Sequence, residues 1–364
     1  MQRLLYAVSV GIALLCGACT ADPAPEPDEP ETAAAEQTAA PPDAFRPGEI
    51  WLDVEGQPIN AHAGGVLYED GTYYWYGQHM EGETWAPEAN RAWGGTRVDV
   101  VGVSCYSSRD LLNWKSEGIV LPAMKDDPDH DLHTSKVVER PKVVRNDQTG
   151  KYVMWMHIDS EDYSYARAGV AVGDSPTGPF EYLGSLRPHG HMSRDMTLFK
   201  DDDGRAYLFF SSENNATLHV ALLSEDYLEP TSEWKRLFVD RSREAPAVFK
   251  HDGRYFIVSS GCTGWDPNPA EYAVADSIMG DWEVKGSPCR GDGCDVTFHS
   301  QSTFVLPVAD APGRFIFMAD RWRPDALPDS RYVWLPMQIE GDSLSIEWKD
   351  EWRLDLPAST PPSP

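Results

Sequence analysis

The sequence predicts an all-β protein built as a five-bladed β-propeller, and three observations carry that prediction. A strand–turn–strand pattern recurs five times along the 364 residues, a second hairpin follows each copy, and no stretch sustains helical periodicity. Four-stranded units repeated radially make a propeller, whose blades bury both sheet faces against their neighbours. Such burial accounts for 13 Trp, 15 Tyr and 12 Phe. A β-sandwich is the competing architecture, and the regular two-hairpin unit argues against it.

The first copy spans 63–77 and turns at Glu-Asp-Gly, and the second spans 139–156 and turns at Asn-Asp-Gln-Thr-Gly. The third spans 194–210 with Asp-Asp-Asp-Gly, the fourth 244–260 with His-Asp-Gly, and the fifth 301–318 with a turn before Gly-Arg-Phe. Each turn offers a glycine free to take positive φ, as tight hairpins require. The second hairpins lead from 101–107 to Trp114, 169–173 to Phe180, 218–223 to Trp234, 272–275 to Trp282 and 332–337 to Trp348. Residues 79–100, with Trp85 and Trp93, form an insertion in the first unit. Segments that long are commonly functional, and this one is expected to wall a binding funnel.

The formal charge is −27. It argues against nucleic acid and against anionic membrane surfaces, both of which need Lys and Arg. Residues 1–19 read as an export signal: Arg3, an apolar run from Leu4 to Leu15, then small residues before Cys19. The run is shorter than the roughly 20 residues a membrane span needs. Cys-Gly-Ala-Cys resembles a bacterial lipobox, although Cys16 stands where Leu is usual. The expectation is an exported bacterial lipoprotein of the cell envelope, attached to the membrane only through a lipid on Cys19. A plain secretory signal is the alternative. Residues 20–45 are a Pro-, Ala- and Glu-rich tether, 46–356 the propeller, and 357–364 a disordered tail. Without the tether and Arg3 the chain keeps 51 acids against 30 bases, or −21, so the acidity belongs to the body.

Beyond the signal there are four cysteines. Cys289 and Cys294 enclose a tight loop that could hold a disulfide, while Cys105 and Cys262 are expected as free, buried thiols. Their spacing does not fit zinc. The runs 126–131 and 201–203 are acidic but lack the spacing of a calcium loop.

Inner strands of a propeller converge on a central channel, so their first residues ring one end of it. Here those starts are Asn60-Ala61-His62, Glu139-Arg140, Arg194-Asp195, Arg243-Glu244 and Ser300-Gln301. Three carboxylates and an amide therefore meet in one funnel. Crowded carboxylates shift one another's pKa, and two carboxylates acting on an acetal is the logic of glycoside hydrolysis.

These residues resemble glycoside hydrolase family 43, and more narrowly its exo-β-1,3-galactanase-like subfamily. The match rests on Leu-Asp-x-x-Gly-x-Pro-Ile-Asn-Ala-His-Ala-Gly-Gly-Val (52–66), Tyr-Tyr-Trp-Tyr-Gly (73–77) and Glu-Arg-Pro-Lys-Val (139–143). Ser-Arg-Asp-Met (193–196), Arg-Glu-Ala-Pro (243–246) and Ser-Gln-Ser-Thr (300–303) complete it, so that it covers about residues 47–355. Most of the wider family has a general base Asp in blade one. Residues 61–65 hold no carboxylate, an absence the narrower subfamily shares.

The resemblance implies roles residue by residue. Glu244 matches the general acid, and Asp195 the carboxylate that tunes and orients it. Glu139 matches a carboxylate contacting the terminal sugar and is also the natural chemical candidate for a base. Gln301 occupies the water-activating position, which for an amide requires an imidic-acid tautomer. Alternatively Gln301 only positions the water while Glu139 takes the proton. Either arrangement implies inversion, with acid and base about 6.5–9.5 Å apart. Tyr163 and Thr263 match sugar-contacting positions, and His62 is expected to line the funnel. Gln78 stands where the subfamily often has Glu.

No cofactor and no assigned metal are expected; a structural calcium in the channel is left open. The implied activity is inverting, exo-acting hydrolysis of β-1,3-galactan, the arabinogalactan backbone, with release of galactose by a monomer. The alternatives are an α-L-arabinofuranosidase or β-galactosidase on the side chains, or a non-catalytic glycan-binding propeller.

Overall fold

The computed structural model describes residues 42–354, apart from 91 and 93. The expected signal, the tether as far as residue 41, the tail and Trp93 lie outside the described residues. Among the described residues, no helix is long and apolar enough to cross a membrane.

Five antiparallel sheets follow one another along the chain. Blade one is β1 (His62–Glu69), β2 (Thr72–Met80), β3 (Val100–Ser108) and β4 (Lys115–Pro122). Blade two is β5 (Val137–Arg145), β6 (Tyr152–Asp159), β7 (Arg167–Gly173) and β8 (Phe180–Leu186). Blade three is β9 (Met196–Lys200), β10 (Ala206–Ser212), β11 (Thr217–Leu223) and β12 (Pro230–Leu237). Blade four is β13 (Arg243–His251), β14 (Arg254–Gly261), β15 (Glu271–Ala275) and β16 (Glu283–Gly286).

Blade five differs. To β18 (Gln301–Pro307), β19 (Phe315–Arg321), β20 (Arg331–Glu340) and β21 (Ser343–Glu347) it adds the short β17 (Cys289–Arg290), parallel to β21. Two residues give too weak a pattern to predict from sequence. The innermost strands touch in a closed ring, β1–β5–β9–β13–β18–β1. The architecture is the five-bladed propeller that the repeats predict.

Packing explains the ring. Five apolar clusters fill the five seams between neighbouring blades. The seam between blades five and one is the richest in Trp: Trp75 packs on Trp334 at 4.7 Å and on Trp114 at 5.4 Å, with Trp51 5.0 Å from Trp334. Truncating one such buried Trp to Ala costs about 3–5 kcal/mol. At the same seam Phe45 and Trp352 exchange backbone hydrogen bonds of 2.9 and 3.1 Å and stack at 4.1 Å. Ala44 and Phe45, assigned above to the tether, are thus buried parts of the body.

A recurring distortion aims side chains into the channel. The register of the inner strand slips just after His62, Glu139 and Glu244. The next residue is left-handed each time: Ala63 at φ 52°, Arg140 at 56° and Ala245 at 52°. Such bulges turn a side chain out of the ladder, and they are common beside active sites. In blade one the bulge needs glycine, because a Cβ on Gly77 would lie 2.0 Å from the Ala61 carbonyl carbon.

Candidate active site

The bulges and the blade-three lead-in bring Glu139, Asp195, Glu244 and Gln301 to one cavity of about 530 Å³, also lined by Gln78, Tyr163 and Thr263. Seven of the eight expected site residues therefore share one space. His62 does not line it. Its ring is buried, donates its Nδ1–H to Asp320 Oδ1 at 3.2 Å, and stacks on Tyr332 at 4.9 Å. The ring turns to Asp320 on β19 and stays out of the cavity, so the expected sugar contact at His62 finds no support in its position.

Glu244 sits in the cavity wall, only 7% exposed. Burial, then the charge of Asp195, pushes its pKa up to about 8, although Cys262, Arg140 and Gln301 pull the other way. A carboxyl in that state keeps its proton at neutral pH, as a general acid must. Asn215 donates to Glu244 Oε2 at 3.1 Å and to Cys262 Sγ at 3.4 Å. Asn215 ends a run of three left-handed residues, Glu213, Asn214 and Asn215, the kind of strain that gathers at functional sites.

Gln301 is held at both ends. Its Oε1 accepts from Arg140 Nη2 at 2.6 Å and Trp322 Nε1 at 3.0 Å. Its Nε2 donates to Glu244 Oε1 and Ser260 Oγ, each at 3.0 Å. The expected wide spacing between acid and base thus does not hold for Gln301 and Glu244, which touch. The reason is topological: they come from adjacent blades, whereas Glu139 lies two blades from Glu244.

Glu139 is held at both carboxylate oxygens. Oε1 accepts from the Tyr163 hydroxyl at 2.8 Å, and Oε2 lies 3.2 Å from His157 Nδ1. His157 Nε2 is 2.9 Å from Asp159 Oδ2, and Asp159 Oδ1 is fixed by the Ser160 and Ala166 amides. Burial lowers the His157 pKa, but Asp159 and Glu139 outweigh it and carry it to about 9. The imidazolium therefore sits between two carboxylates. Arg140 instead pairs with Asp195 at 2.9 Å, and Lys142 Nζ donates to the Ala63 carbonyl at 2.8 Å.

Glu139, His157 and Asp195 form the one group among the described residues whose candidate ligand atoms lie within 4.8 Å of one another. Both His157 nitrogens are engaged with carboxylates, so the ring would have to release Glu139 or Asp159 before it could offer a lone pair to a cation.

Cys262, expected buried, is exposed at the cavity edge. Cys289 and Cys294 are free thiols rather than a disulfide, with Cys289 packed into the seam of blades four and five through β17. Among the described residues, those of the 79–100 insertion back the wall instead of lining it. Thr96 accepts from Trp265 Nε1 at 3.0 Å, and Asn90 Nδ2 donates to the Glu161 carbonyl at 2.6 Å beside the Tyr163 loop.

Sequence reasoning missed His157, Asp159, Asn215, Trp265 and Trp322. His157 and Asp159 left a signal, since His-Ile-Asp at the end of β6 puts two ionisable groups on one strand face. Trp322 and Asn215 lie just past strand ends, where no pattern marks them.

A propeller funnel with a protonated carboxyl facing further carboxylates defines a glycoside hydrolase. Residues 58–289 match the profile of glycosyl hydrolases family 43, and the chain belongs to that family. A solved GH43 β-1,3-galactosidase with galactodeoxynojirimycin is 40% identical, covering 85% of this chain and all of that one, with a TM-score of 0.78. An exo-β-1,3-galactanase from Phanerochaete chrysosporium with β-1,3-galactotriose is 34% identical, covering 88% and 70%, with a TM-score of 0.77. Among curated proteins, a xylosidase/arabinosidase of Bacteroides ovatus is 26% identical over 78% of this chain and 93% of its own. A β-D-galactofuranosidase of Aspergillus niger is also 26% identical, over 48% of this chain, which spans only about half (53%) of that relative's length.

Proposed function

We propose that this protein is an inverting, exo-acting hydrolase of β-1,3-galactan that releases galactose. The observation that carries the reading is Glu244, a carboxyl held protonated in the wall of a cavity of about 530 Å³ among charged partners. The names of the similar solved structures, β-1,3-galactosidase and exo-β-1,3-galactanase, support the substrate. Glu244 gives its proton to the departing glycosidic oxygen, and Asp195, anchored by Arg140, keeps that proton on Glu244. Gln78 Oε1 and Asn215 Oδ1 are buried acceptors without a hydrogen-bond partner, suited to sugar hydroxyls. The sequence of residues 1–19 supports export and a lipid on Cys19, and a monomer at the cell envelope completes the proposal.

Two groups compete for the water's proton. Gln301 could take it only as an imidic acid, which would set a new O–H against Arg140 and Trp322, both pure donors. Glu139 Oε2 lies 3.2 Å from His157 Nδ1, and the residue stands two blades from the acid, leaving room for water and sugar.

The test is hydrolysis of β-1,3-galactotriose followed by NMR. Galactose appearing first as the α-anomer supports the proposal. The β-anomer first, internal cleavage, or binding without turnover overturns it. Azide restoring turnover in Glu139→Gln but not in Gln301→Ala assigns the base to Glu139, and the reverse assigns it to Gln301.

A further inference from the structure

A second cavity of about 310 Å³ adjoins the first and shares Gly264, Trp265, Gln301 and Trp322 with it. The common wall is aromatic: the Trp265 and Trp322 rings meet edge to face, 5.0 Å between centroids. The volume lies within the range of small-ligand sites, about 300–1,000 Å³.

Its lining is basic. His299, Arg321 and Arg323 face it, against the single carboxylate of Asp266. That runs against a body whose acids outnumber its bases 51 to 30. Arg323 pairs with Asp329, but Asp329 also serves Arg331, so one carboxylate answers two guanidinium groups. No carboxylate bonds to Arg321 among the described residues. It donates to the Phe298 carbonyl at 2.8 Å, lies 5.1 Å from the centre of the Trp348 ring, and keeps a buried Nε without a partner. His299 is exposed and ends three consecutive left-handed residues, at φ 51°, 57° and 57°. Strain of that kind is kept where a side chain must be presented.

We propose that this second cavity is a subsite for a uronate, a carboxylate-bearing sugar carried on the galactan close to the bond being cleaved, with Arg321 as its chief partner. A guanidinium N–H gives a carboxylate a charge-assisted hydrogen bond, and the Trp wall offers apolar surface to a pyranose ring. The inference rests on the galactanase reading and extends it: the acidic protein would favour an acidic branch at one place only.

The test compares galactan oligosaccharides carrying a glucuronate-tipped branch with the same material after carboxyl reduction to glucose. The wild-type protein should turn over the uronate form with kcat/KM about tenfold higher, as one charge-assisted contact allows, and salt should shrink the difference. In Arg321→Gln the two substrates should converge, and Arg323→Gln, on an exposed side chain, should narrow the gap if Arg321→Gln folds poorly. Equal rates for both substrates in the wild type, or a gap that both variants keep, overturns the proposal. If unbranched β-1,3-galactotriose is not cleaved, the galactanase reading fails instead. Calorimetry with methyl β-glucuronide and methyl β-glucoside then judges the subsite alone, and a glucuronide preference lost in Arg321→Gln would sustain it, while no preference would overturn it.

Discussion

Gln301 donates an amide hydrogen to Glu244 across 3.0 Å while Arg140 and Trp322 hold its carbonyl end. Both carbonyl partners can only donate, so the amide has one orientation. The acid is thereby fixed by a residue of the neighbouring blade, itself fixed by a third. Arg140 also binds Asp195, so a single guanidinium ties together the parts of the cavity wall that come from blades two, three and five.

Glu244→Gln should lower kcat on β-1,3-galactotriose by about 10²–10⁴-fold, the span of general acid catalysis. An aryl galactoside whose leaving group departs without a proton should suffer far less. A similar loss on both substrates, measured side by side, would remove Glu244 from the acid role.

The active form carries the Glu244 proton, so kcat/KM should fall as pH rises through about 8. Cys262 draws that pKa down, so Cys262→Ala should move the limb to higher pH. The same raised pKa makes Glu244 a stability term that is full below its ordinary value of 4.5 and lost as pH climbs through about 8. A pH–rate profile of the variant showing no shift, or a shift downward, contradicts the assignment.

His157 should weaken the fold at alkaline pH. Its pKa is raised from 6.5 to about 9, so its contribution is complete below 6.5 and disappears as pH rises through about 9. His157→Gln should cost about 3 kcal/mol by taking from the buried Asp159 carboxylate its nearer cation, with only Arg194 left at 3.9 Å. Denaturant midpoints taken between pH 6 and 10 should fall less steeply in the variant, which loses the His157 part of the decline and keeps the Glu244 part.

Gly77→Ala should destabilise the protein by about 1–3 kcal/mol or more, since the added methyl meets the Ala61 backbone at 2.0 Å. Gly71→Ala is the comparison: its turn is open, and only the φ of 77° opposes the methyl. Thermal melts of the two should separate crowding from backbone strain.

The blades were legible because a hairpin needs turn residues at fixed places, and five such places repeat. The acid could be read for the same reason: Glu244 starts an inner strand, and position in the repeat fixes position in the funnel. His62 starts an inner strand too, yet its ring turns to Asp320, a residue more than 250 positions away. The spacing of acid and base failed similarly. Sequence order says which blade bears Gln301, but contact with Glu244 depends on the bulge, Arg140 and Trp322 together. The His157–Asp159 pair is local and left its mark in His-Ile-Asp, but its link to Glu139 on the neighbouring strand depends on the register of the sheet.

The Phe45–Trp352 pairing joins the first and last parts of the described body at one seam. Chain order around the circle is then a matter of where the polypeptide happens to be cut. A permuted protein, with those ends linked and new termini opened at the exposed Asp202–Asp203 turn, should keep its cavity, because every catalytic wall is held by its neighbours and none by the termini themselves.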